Sequence, residues 1–266
     1  LHTLKIGYYV TTQTFDYFPS SLQFLKITGK HNFNPNIFPV NLHTLILDNS
    51  SFNEPMDNLP SGLQILNINS VTFNQSVDHL PSSLKELTLN SHNFNQPMDY
   101  LPKTLQTLKL YSHTFNYSLN NLPSSLETIQ FAYGPIKELP KDLPQNIIRI
   151  TTDKYFECEW LPKNLEYFQI TCGIHNYDLN NLPKSLISLS IHSNEFNKPI
   201  NNFPENLRHL SIFGKKFDQS LSNLPNNLFS LTLYCDKLTY PIDNLPLNLQ
   251  SLSFHVNKLN EPNILL

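Results

Sequence analysis

The sequence predicts a β-rich solenoid: a right-handed coil of about thirteen 21-residue repeats, with a parallel sheet on its concave side, a helix-poor convex side and a shallow arc. Three observations carry this expectation. First, a leucine three residues after a proline recurs at Leu22, Leu42, Leu63, Leu84, Leu105, Leu126, Ile147 (one conservative change), Leu165, Leu186, Leu207, Leu228 and Leu249. The spacing is 21 residues apart from one interval of 20 and one of 18. Second, each unit follows P-x-x-L-x-x-L-x-[LI]-x-x-x-x-F-N-x-x-[IMLV]-x-x-[LF], so its apolar residues recur in register and would stack into a continuous core that no single coil can bury alone. Third, the chain holds 20 prolines and only six glycines. Such a balance suits extended return segments better than the glycine-rich phosphate loops of α/β enzymes.

Each part of the unit has a physical role. L-x-[LI] alternates with period two, so its leucines face inward from a short parallel strand and the residues between them face out. Leu-Pro turns the chain, proline presetting φ. The phenylalanine is expected to stack on its equivalents as an internal aromatic spine, and the asparagine beside it to satisfy backbone groups at the bend. A second proline after Phe-Asn, as at Pro55, Pro97 and Pro199, forbids a regular helix on the return side. The period spans residues 1–266 and reads as a single domain. It is irregular around 131–165, where FAYGPIKELP lacks Phe-Asn and KYFECEW replaces the bend. Phe156 and Trp160 are expected to refill the core there, the alternative being a local kink or protrusion that a partner grips.

The bulk numbers narrow the partners. Only 15% of the residues are charged, the net charge is −3 and the pI is near 6.4. No basic field exists to collect nucleic acid or an anionic membrane surface, so neither is expected as a partner. No run approaches ~20 apolar residues, and LHTLKIGYYV does not read as a secretory signal. Three irregularly spaced cysteines fit a reducing compartment, hence the cytoplasm.

L-x-x-L-x-L resembles the leucine-rich repeat, and F-N-x-[PS]-[IMLV] resembles its FNIP-repeat subclass, found in slime moulds and giant viruses. The resemblance implies a protein-recognition scaffold, placed in the host-cell cytoplasm for a viral member. Because such proteins often carry an F-box, it also implies substrate recognition within a ubiquitin-ligase adapter, on the condition that such a docking domain accompanies these repeats. The first residue already lies inside a repeat, so no F-box is expected in these residues.

In a repeat of this kind the partner lies on the concave strand face. Its outward positions are taken as the third, fifth, seventh and eighth from the leading leucine. The seventh places His192, Phe213, Tyr234 and His255 on four adjacent strands, an aromatic row beside a lane of serines, with His209 nearby. Exposed aromatics on a rigid sheet supply contact area at low entropic cost. Tyr111 with Tyr133 forms a second patch, flanked by Lys109, and Asp48, Asn69 and Asn90 continue the seventh lane. The expected function is protein binding on this face. The alternatives are a self-associating solenoid, pairing as a homodimer through coil ends without polar caps, and carbohydrate binding by the aromatic row. No enzyme activity, cofactor or metal is expected. Cys172 with His192 and Cys235 with His255 are spaced as cross-strand dyads, but nothing supplies an oxyanion hole, and no closely spaced ligand pair has a zinc pattern.

Overall fold

The computed structural model describes residues 1–7, 17–29, 37–134, 138–171, 176–240, 242 and 244–259, with residues 258 and 259 in backbone only. The chain forms two compact units, Leu1–Ile136 and Lys137–Leu266, whose boundary falls in the irregular stretch. The first holds β1 (Thr3–Ile6), β2 (Phe24–Thr28), β3 (Thr44–Asp48), β4 (Ile65–Asn69), β5 (Glu86–Asn90), β6 (Thr107–Tyr111) and β7 (Thr128–Ala132). The second holds β8 (Arg149–Thr152), β9 (Tyr167–Ile170), β10 (Ser188–His192), β11 (His209–Phe213), β12 (Ser230–Leu238) and β13 (Ser251–Leu259). Within each unit every strand pairs in parallel with the next in chain order. No α-helix occurs among the described residues, and a 3-10 turn at Cys158–Trp160 lies in the return segment after β8.

Register is exact repeat on repeat. Leu45, Leu66, Leu87, Leu108 and Ile129 are successive partners in the first unit, and all are buried. The leading leucines from Leu22 to Leu228 are fully buried as well, among them Leu63, Leu84, Leu186 and Leu207, while Leu249 is half-buried. Each such side chain contributes about 1.5–3 kcal/mol by leaving water. The aromatic spine is present. Phe52, Phe73, Phe94 and Phe115 stack at 5.9, 6.0 and 5.9 Å with interplanar angles of 8° or less. In the second unit Phe196 and Phe217 stack at 5.6 Å.

The proline works differently from its expected role. In every copy described, the leading leucine (or Ile147) donates its N–H to the carbonyl of the proline three residues earlier, as in Leu84 to Pro81 at 3.0 Å and Ile147 to Pro144 at 3.2 Å. Proline therefore opens the turn and supplies its acceptor; it does not occupy the second position, where its fixed φ would matter most. The residue before the leading leucine ties one turn to the previous one. Ser83 Oγ donates to the Ser61 carbonyl and Thr104 Oγ1 to that of Ser82, each at 2.7 Å, while Asn206 Nδ2 reaches the Lys184 carbonyl at 3.0 Å.

The bend asparagines satisfy backbone groups as expected, and do so as a ladder, each side-chain carbonyl oxygen accepting the backbone N–H of the next. The steps are Asn53 to Asn74 (2.8 Å), Asn74 to Asn95 (2.8 Å) and Asn95 to Asn116 (3.0 Å). In the second unit Asn176, Asn197 and Asp218 continue it to Thr239. At the irregular bend the structure corrects one expectation. Phe156 is buried and stacks on Tyr177 at 4.9 Å, but Trp160 is only half-buried, edge-on to Tyr155 with Lys141 Nζ 5.0 Å from its ring. Cys158 and Leu161 fill the core on either side of it.

β12 and β13 run nine residues each and remain paired through Leu238↔Leu259. There the motif Phe-Asn is replaced by Leu238-Thr239 and Leu259-Asn260, and the chain stays extended where other copies bend.

Candidate functional site

The alternation of each strand sets what faces outward. Third, fifth and seventh positions point away from the core, as in β6, where Thr107, Lys109 and Tyr111 are half-buried and Leu108 and Leu110 are buried. The eighth position was expected outward, and the structure overturns this. Ser70, Ser91, Ser112 and Ser193 are 2% exposed or less. The period of two continues one residue beyond the strand, and the hydroxyl finds a buried acceptor. Ser70, Ser91 and Ser112 donate to the carbonyls of Phe52, Phe73 and Phe94, each at 2.7 Å. This second ladder carries no signal in the sequence beyond the recurrence of a small hydroxyl residue at one register.

In the second unit the predicted row is aligned in register: His192 pairs with Phe213, Phe213 with Tyr234, and Tyr234 with His255. His192 and Phe213 stack at 4.5 Å and 22°, and Tyr234 and His255 approach to 6.2 Å at 32°. The first two are half-buried and the last two exposed. Ser190 Oγ lies 2.9 Å from His192 Nε2 and fixes its ring, and burial lowers the pKa of this imidazole. His209, exposed at the third position of β11, meets Phe229 edge-on at 5.9 Å. Ser190, Ser211, Thr232 and Ser253 form a half-buried hydroxyl lane between the two columns.

In the first unit Asp48, Asn69, Asn90 and Tyr111 are successive register partners, with Asn69 Nδ2 donating to Asp48 Oδ1 at 3.0 Å. Lys109 sits between Thr88 and Gln130 in register. The patch at Tyr111 is larger than predicted. Tyr133 lies 6.5 Å from Tyr111 and stacks on His113 at 4.8 Å, which stacks on His92 at 4.3 Å. His92, His113 and Tyr133 are all exposed. Burial, and then Tyr133, raises the pKa of Tyr111. Tyr133 is held at φ 66°, and the following Gly134 has φ 71° with a site for Cβ only 2.4 Å from the Ser112 carbonyl oxygen. Only glycine fits there. The histidines at 92 and 113 were missed because they lie just past the strands, where alternation gives no guide.

Of the two dyads considered in the sequence, Cys172 lies outside the described residues. Cys235 is fully buried, and burial, with Asp218 and Asp236, pushes its thiol up to about 11. A neutral, enclosed thiol is a poor nucleophile. Among the described residues no three potential ligands cluster to hold a metal ion, and no helix is long and apolar enough to cross a membrane.

Residues 73–112 match the FNIP Repeat family. Among solved structures the chain resembles CroV588, a circular leucine-rich-repeat protein of a giant virus, at 24% identity and a TM-score of 0.62 over 93% of this chain and 46% of that one. It also resembles YopM from Yersinia enterocolitica (21%, TM-score 0.51, 91% and 62% covered) and an internalin, inlF, from Listeria monocytogenes (20%, TM-score 0.52, 90% and 76% covered). The chain thus spans about half the length of CroV588 and under two thirds of YopM. No curated protein matches it. Parallel strands, repeat register and these likenesses agree: the chain has the leucine-rich-repeat fold, and its residues 73–112 match the FNIP repeat.

Proposed function

We propose that the chain is a protein-interaction scaffold whose partner lies across the outward strand face, centred on His192, Phe213, Tyr234 and His255. The observation that carries this reading is the row itself: four aromatic or imidazole side chains in register on adjacent strands, two of them stacked at 4.5 Å. The parallel ladder fixes their backbones before any partner arrives, so little entropy is lost on contact. Nothing in the core requires aromatics here, since the inward leucines at neighbouring positions already fill it. Substrate recognition for a ubiquitin-ligase adapter is the finer form of this reading, carried by the resemblance to FNIP-repeat proteins, and co-recovery of a cullin would bear it out.

The test is affinity capture with the native chain and with Phe213→Ala/Tyr234→Ala, compared by quantitative mass spectrometry. Proteins retained by the native chain and lost by the variant support the scaffold. Equal recovery by both sinks the assignment of this face, and recovery of nothing but a second copy of the chain points to self-association.

A further inference from the structure

We infer that the strand face of β9–β13 docks an acidic, extended protein segment and grips it more tightly as its histidines take up protons. The inference rests on the protein-binding reading above and specifies the partner's chemistry.

Charge is the first argument. At the third, fifth and seventh repeat positions β9–β13 hold no aspartate, glutamate, lysine or arginine; Asp236, Lys237 and Lys258 lie further along β12 and β13. Apart from tyrosines, the only ionisable residues at those positions are His192, His209 and His255. Those positions therefore carry no fixed charge and gain only positive charge as the histidines are protonated. The outward face of the first unit differs, because it carries fixed charges of both signs, Asp48 and Glu86 with Lys5, Lys26 and Lys109. The charged groups around the histidines lie on the rims. Glu166 and Arg208 occupy the positions just before β9 and β11, and Lys215, Asp236 and Lys237 lie beyond the seventh position. Glu195 is paired with Lys216 at 2.6 Å, and Asp236 accepts from Asn257 Nδ2 at 3.0 Å. From β11, β12 and the residue before β12 the groups packed against the histidines are Phe213, Tyr234 and Phe229, none of them anionic at neutral pH.

Ring geometry is the second argument. In the His192–Phe213 stack each ring covers a face of the other, which leaves ring edges toward a ligand. Edges are the positive part of the aromatic quadrupole, and imidazole edges add N–H donors. Beside them the lane of Ser190, Ser211, Thr232 and Ser253 offers hydroxyl donors in register. Edges and donors suit carboxylates; a sugar ring needs open aromatic faces. The span fits an extended segment: five strands at about 4.8 Å cover roughly 19 Å, which about six residues bridge at ~3.3 Å each.

The probes are fluorescent octa-aspartate and octa-asparagine, titrated against the full chain at pH 7.5 and 5.5 in low salt. Aspartate stays ionised across this range while an ordinary histidine gains its proton; burial holds His192 below that ordinary value, so it responds last of the groups on this face to falling pH. Octa-aspartate is expected to bind at least tenfold more tightly at pH 5.5, with octa-asparagine binding at neither pH. The His192→Gln/His209→Gln/His255→Gln variant should lose this pH dependence while keeping its unfolding midpoint, and His92→Gln/His113→Gln should retain it. Absence of octa-aspartate binding at pH 5.5, equal binding of octa-asparagine, or pH dependence surviving in the triple variant overturns the inference. If any of these occurs while capture of a partner still depends on Phe213 and Tyr234, only the acidic ligand is refuted. If that capture fails as well, the scaffold reading falls with it.

Discussion

The Ser91 hydroxyl donates to the carbonyl oxygen of Phe73, 2.7 Å away and eighteen residues earlier in the chain. Both groups are out of water, since Ser91 is 1% exposed and Phe73 fully buried. One small side chain thus ties the end of a strand to the bend of the preceding coil. Ser91→Ala leaves that carbonyl unpaired and should cost about 1–3 kcal/mol, read as a lower midpoint in urea unfolding. Ser83→Ala removes a hydroxyl in a less buried turn and should cost less than half as much. Equal losses at the two positions would contradict the ladder's burial.

The asparagine ladder makes a different prediction. Asn95 Oδ1 accepts the Asn116 N–H at 3.0 Å, and the Asn95 N–H is itself received by Asn74 Oδ1. Position 218 shows what the ladder tolerates: Asp218 stands in the asparagine's place and accepts from the Thr239 N–H at 2.6 Å. Only an acceptor is required. Asn95→Asp should therefore unfold near the native midpoint at pH 7, whereas Asn95→Ala should lose about 1–2 kcal/mol. Equal loss in the two variants would show that the side-chain amide hydrogens matter as well.

Cys158 and Cys235 predict the alkaline behaviour. Burial, with neighbouring carboxylates, raises their pKa values to about 12 and about 11. A thiol whose pKa is higher folded than unfolded binds its proton more tightly in the native state. Its contribution to stability is complete below the unfolded value near 9 and is lost as pH rises through 11 to 12. The unfolding midpoint should fall between pH 9 and 11. At pH 8 both thiols should resist iodoacetamide in the native chain and react once it is unfolded, as followed by peptide mass mapping. Rapid native labelling of Cys235 would show that the core opens there.

Some of this was legible in the sequence and some was not. The spine and the asparagine ladder were, because Phe and Asn recur at one register and each has a single economical use in a stacked coil. The aromatic row was legible because strand alternation fixes which residues face out. The serine ladder was not: a serine is polar wherever it lies, and only the geometry shows that alternation runs on past Asn90 to bury Ser91. His92 and His113 escaped notice for a related reason, since outside the strand their stack depends on turn geometry and not on period. Trp160 was misplaced because its volume suggested core, whereas the 3-10 turn at Cys158–Trp160 gives the interior to smaller neighbours.

Phe213 and Phe217 separate the scaffold from the site. They are four residues apart, yet Phe213 faces out from β11 against His192 while Phe217 is 1% exposed in the spine against Phe196. Truncating Phe217 to alanine opens a core cavity and should cost about 3–5 kcal/mol. Truncating Phe213 removes one partly solvated ring pair, worth about 0.5–1.5 kcal/mol beyond its area, and the ladder beneath it is untouched. The two variants should therefore divide in thermal unfolding and capture. Phe217→Ala melts well below the native chain, but its partner recovery below that melting point changes little per folded molecule. Phe213→Ala melts close to the native chain and recovers far less partner. If instead Phe213→Ala destabilises the chain as much as Phe217→Ala does, the row is structural and the partner must lie on another surface.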